Sequence, residues 1–298
     1  MTIIGGDGPP PSPEQFLAID EQLADDGIPA LERPFQAAKI WGEQSGDIMT
    51  ALKQEGWFRE RYRELHPSVP YDGSAFLTLC VSARSISYFL KPPMGYGRVA
   101  IKPLDYITIT KPEVERLWAT HPSAFWELTF QGFDGVDLFM AQVNYHSKIK
   151  AVENMLATAV NQLTASARQL VAGEIDLSIP QGLAMACELV GKSVLLKEGA
   201  TQKEIKALGH DLTELAKAVA DRLSSPVDDQ VQMVAETLPK YVAVRYDAPA
   251  LNMAQAQDVY RRTLFVVADF LRRTNHDQLY WKIIDDKTVP KRNWETFL

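Results

Sequence analysis

Between Gly182 and Arg273 apolar residues recur every three or four positions through one segment after another, and the breaks between segments are short. That period gathers apolar side chains on one face of an α-helix, and such a face must be buried against another element. The order reads as helix, short connection, helix, helix, turn, long helix. Short connections favour antiparallel neighbours, so a small helical bundle is the economical arrangement. Thr201 and Glu204 have the spacing of a capping box and start one helix. Asp228 or Asp229 starts another, with Val231, Val234, Leu238 and Val242 as its buried line and Pro239 expected to bend it. The last helix runs from about Met253 to Arg273. Ala256, Tyr260, Leu264, Val267 and Leu271 form one apolar face, and Val259, Phe265, Val266 and Phe270 extend it. A helix apolar over so much of its circumference is expected to be covered on more than one side, by the N-terminal part of the chain or by another subunit.

The remainder reads as mixed α+β. Residues 1–13 are rich in Gly and Pro and are expected to be flexible. Ser12, Pro13 and Gln15 then form a helix start, Phe16, Ile19 and Leu23 its stripe, and Gly27 its end. A second helical stretch covers about Asp47 to Leu65. Residues 98–102 and 106–110 alternate and are rich in β-branched side chains, as strands are. Residues 125–130 and 136–143 read as further strands, joined across Asp134-Gly135, a hairpin signal. A long helix begins near Tyr145. Its stripe of Ile149, Val152, Leu156, Leu163, Ala167 and Leu170 either packs on its own chain or forms a self-association surface. These readings give a flexible segment 1–13, an α+β domain 14–144, a helical bundle 145–274 and a tail 275–298. Leu279, Tyr280, Trp281, Ile283 and Ile284 make that tail apolar, so it is expected to dock on the body.

Three pieces of the C-terminal part resemble the HEPN family of helical bundles. Ala186, Glu188, Leu189 and Lys192 sit on the first helix before the Gly199 break. Leu208-Gly209-His210-Asp211-Leu212 opens the second. Tyr241 and Arg245-Tyr246 close the third, before a turn with Pro249 and the last long helix. The resemblance covers roughly a third of the chain, from about Gly182 to Arg273. It implies an antiparallel bundle, a homodimer formed through that bundle, and His210, Asp211, Arg245 and Tyr241 as the residues nearest a ligand site. Nuclease members resemble one another in an Arg followed four to six residues later by His. After Arg245 this chain has no such His, and Arg272 and Arg273 stand too close to His276. The expectation is therefore a non-catalytic interaction or dimerisation module. Its alternative is an RNA-cleaving or nucleotide-handling enzyme of stress or phage defence, with His210 or His66 as acid–base group and Arg245 on a phosphate. A weaker reading gives the specific function to the N-terminal half.

Composition narrows the chemistry. The net charge of −7 implies no general attraction to polyanions. Cys80 and Cys187 lie in apolar surroundings with no metal-ligand spacing, so they read as reduced core thiols, and neither metal nor cofactor is expected. Phosphate-loop, GxSxG, HExxH and CxxC patterns are absent. Arg59 and Arg61 precede His66 by seven and five positions, a match expected by chance. Arg261-Arg262 and Arg272-Arg273, eleven residues apart, share a helix face that reads as solvated or as able to meet phosphates. The start of the chain lacks a secretory pattern and the apolar stretch 75–90 is too short to span a bilayer, which points to the cytoplasm.

Overall fold

The computed structural model describes residues 9–30, 32–67, 77–92, 101–145, 147–240, 251–275, 279–292 and 294. Residues 1–8 of the start expected to be flexible, residues 98–100 of the strand expected over 98–102, and Tyr241, Val242, Arg245, Tyr246, Pro249 and His276 lie outside the described residues. Contacts divide the chain into Met1–Phe76 and Leu77–Leu298. The division falls well before the boundary expected near Tyr145, because helices on both sides of Tyr145 pack into the second unit.

The first unit is helical: α1 (Pro13–Asp25), α2 (Arg33–Ser45), α3 (Ile48–Lys53) and α4 (Glu55–Leu65). Ser12 accepts from the Gln15 amide, and the Gln15 side chain accepts from the Ser12 amide. That exchange satisfies two donors a helix start leaves open. Phe16, Ile19, Leu23, Ala37, Ala38, Phe58 and Tyr62 form the core. The rings of Phe16 and Tyr62 meet edge-on at 5.0 Å, a geometry aromatic quadrupoles favour.

The second unit contains one hairpin, β1 (Leu79–Ala83) and β2 (Ile86–Leu90), in antiparallel register with Leu79 opposite Leu90 and Ala83 opposite Ile86. Arg84 and Ser85 turn it, both at positive φ, as a two-residue hairpin turn matched to strand twist requires. Around it lie α5 (Lys111–Thr120), α6 (Pro122–Asn144), α7 (Lys150–Ala172), α8 (Ser178–Lys197), α9 (Gln202–Ala207), α10 (Leu212–Arg222), α11 (Asp228–Thr237), α12 (Met253–Arg272) and α13 (Leu279–Ile284). The fold is mainly helical with a small sheet.

The two strands expected over 125–130 and 136–143 are instead the single helix α6. It is buried over most of its circumference, with Glu127, Gln131, Asp134 and Asp137 buried among the apolar residues, so no contrast between an apolar and an exposed polar face marks the 3.6-residue period. Gly135 is therefore no turn. A Cβ there would collide with Leu90 Cδ2 and lie 3.0 Å from Leu79 Cδ1: the glycine lets the hairpin lie directly on the helix. Gln131, one turn earlier, accepts from the Ser82 amide at 2.9 Å and donates to the Ser82 carbonyl at 3.0 Å. A side-chain amide thus stands where a third strand's peptide would. Tyr260 Oη accepts from the Cys80 amide and donates to the Leu163 carbonyl, both at 3.2 Å.

The C-terminal helices follow the expected order. Thr201–Glu204 and Asn252–Gln255 form capping boxes. Pro239 does not bend α11; the helix stops at Thr237. The stripe of α7 packs against α8 of its own chain, and Val152, Leu156, Leu163, Ala167 and Leu170 are buried. α12 is covered by α6, α8 and α11, leaving Tyr260, Leu264, Phe265, Val266, Val267, Phe270 and Leu271 at most 1% exposed and Val259 half-buried. Its breadth therefore needs no second subunit. Among the described residues one helix, Ser178–Lys197, is long and apolar enough to cross a bilayer, and 83% of its window is buried inside the protein; it is a core helix.

Gly135→Ala should gain about 1 kcal/mol of helix propensity and lose more to overpacking, for a net loss of about 1–2 kcal/mol in urea unfolding. The two thiols give a second prediction. Burial raises Cys80 to about 12, opposed by a weaker hydrogen bond from Ser87, and burial raises Cys187 likewise. Neither should react with a thiol reagent at pH 8 in the folded protein, and both should react in denaturant. Because the folded thiols stay protonated where unfolded ones ionise, their contribution is intact below about pH 9 and declines as pH rises toward 12.

Candidate functional site

The largest concentration of charge in the second unit is buried. Helix α6 carries Glu127, Asp134 and Asp137, seven and three residues apart and so on one helix face. All three are at most 3% exposed. A carboxylate so placed needs a cation and further donors. Arg272 of α12 supplies one fork, with Nε donating to Asp137 and Nη2 to Asp134, each at 2.6 Å. Arg292, beyond α13, supplies another. Its Nη1 donates to Asp134 at 2.6 Å, and its Nε and Nη2 straddle the Glu127 carboxylate at 2.7–3.2 Å. Arg261 lies 3.4 Å from Glu127 and bonds Asp258. Asp137 also accepts the amides of Leu279 and Tyr280 at 2.9 Å each, holding the start of α13.

The same pattern continues along α12. Arg273 donates to Asp269 at 2.7 Å and to the Leu223 carbonyl at 2.7 Å, and pairs with Asp228 at 2.8 Å. Asp269 further accepts from Ser225 and Trp281. Arg262 bonds Asp258 and the Trp294 carbonyl at 2.6 Å each. The paired arginines of α12 thus form neither a solvated face nor a phosphate-binding one; they are spent on carboxylates and carbonyls inside the unit. Burial by itself would lower the pKa of Arg272, but Asp137, Asp134 and Asp269 outweigh it and raise it. Arg292 is raised in the same way, with Asp134 and Glu127 overcoming burial. Both guanidiniums stay charged.

A second cluster sits at the bundle corner. Glu188 of α8 is buried, and its carboxylate accepts Lys192 Nζ at 2.6 Å and contacts His210 Nδ1 at 2.8 Å. The same Lys192 donates to the Gly209 carbonyl at 2.6 Å. Gly209 adopts φ +60 with open space where a Cβ would be, so it serves the turn rather than a close approach. Asp211 caps α10, accepting from the amides of Thr213 and Glu214 at 2.9 and 3.1 Å. The structure therefore brings His210 and Asp211 to one corner, with Glu188 and Lys192 behind His210. The other two expected site residues, Arg245 and Tyr241, lie outside the described residues.

The isolated Arg–His match resolves into local pairs. Arg59 bonds Glu55, Arg61 bonds Glu64, and His66 lies 3.8 Å from Asp20, which also holds Arg33. Among the described residues no group of three His, Cys, Asp or Glu could hold a metal ion.

Glu127, Asp134 and Asp137 were missed from the sequence because 125–130 and 136–143 read as strands joined at Asp134-Gly135, and Arg292 was missed with them because its partners were. As a helix, the same residues place three acids in one line, and that line is the signal. Comparisons with family models, with curated proteins and with solved structures find no match to this chain.

Arg272→Met should cost about 3–5 kcal/mol in urea unfolding, because it leaves buried Asp137 without its cation and Asp134 with Arg292 alone. Arg272→Lys should recover little of this, since an ammonium cannot reproduce the two-pronged fork. Asp211→Ala should cost only about 1 kcal/mol, the worth of a helix cap.

Proposed function

We propose that the chain is a non-catalytic interaction protein of the cytoplasm, whose C-terminal helices act as a HEPN-like module that pairs two copies. The observation that carries this reading is the use of charge in the second unit. Arg261, Arg272, Arg273 and Arg292 are turned inward onto Glu127, Asp134, Asp137, Asp258 and Asp269. A phosphate on RNA or a nucleotide would need such groups at a surface. The helical order from α8 to α12 agrees with the bundle that the resemblance implies.

A surface for a further protein partner lies on α5 and α6. Trp118 is 56% exposed and meets Phe125 edge-on at 5.0 Å, with Trp126 5.7 Å beyond. Aromatic clusters of this kind are enriched at protein interfaces.

The second reading is an RNA-handling enzyme, and one observation favours it. His210 pairs with the Glu188 carboxylate while its side chain remains 51% exposed, an arrangement used to orient an acid–base imidazole. Incubation with RNA, beside a His210→Ala control, separates the two readings. Unchanged RNA at high protein concentration supports the interaction protein; cleavage that His210→Ala abolishes replaces it with the nuclease.

A further inference from the structure

We draw no further inference here: the strongest candidate, the aromatic surface patch of Trp118, Phe125 and Trp126 on α5 and α6, carries nothing beyond the partner surface already described, because nothing in the structure shows what covers it.

Discussion

The second unit depends on taking three carboxylates out of water along one line of a helix. Glu127, Asp134 and Asp137 of α6 could not be buried alone; the cost of stripping each of solvent is several kcal/mol. Arg272 and Arg292 offset it, with Arg261 at the near end. The match fixes direction as well as charge. Glu127 lies by Arg261, and Asp134 and Asp137 lie by Arg272, so α6 and α12 run the same way along the contact. A shift of either helix by one turn would leave at least one charge unpaired. Breaking a buried pair by removing one partner is far more costly than replacing the whole set by apolar residues.

That same pairing organises what lies around it. Asp137 holds the start of α13 through two amides, and Asp269 reaches Trp281 and Ser225. The C-terminal segment is thereby integrated into the core rather than laid on it. The guanidiniums and carboxylates so paired are withdrawn from solvent, while among the described residues Trp118 and His210 keep exposed side chains.

Much of the helical half was legible because its signals are local. Capping boxes at Ser12 and Thr201 and the stripe of α12 each depend on residues close in sequence. What escaped was decided by distant contacts. α6 passed for strands because it is enclosed on nearly all sides, and its one polar line, Glu127, Asp134 and Asp137, is buried among apolar residues rather than set apart from them. Gly135 passed for a turn because its partner, Leu90, lies on a hairpin forty-five residues earlier. The hairpin in turn lacked a glycine or asparagine: Arg84 and Ser85 turn it instead. The arginines of α12 looked solvated because Glu127, Asp134 and Asp137 of α6 and Asp228 of α11 lie far back in the chain, although Asp258 and Asp269 of α12 itself also pair with them. For the candidate site, the link between Glu188, Lys192 and His210 was only half visible, as an expectation that His210 would meet a carboxylate or carbonyl.

The hairpin has a consequence of its own. Two strands normally leave two rows of unpaired peptide groups, and such rows recruit strands from other molecules. Here Gln131 and Tyr260 occupy peptide groups on the free side of β1, while Thr108 and Tyr106 bond Phe89 and Lys91 on the free side of β2. These bonds occupy much of each margin with the molecule's own groups, which blunts both edges as templates for a strand from another molecule.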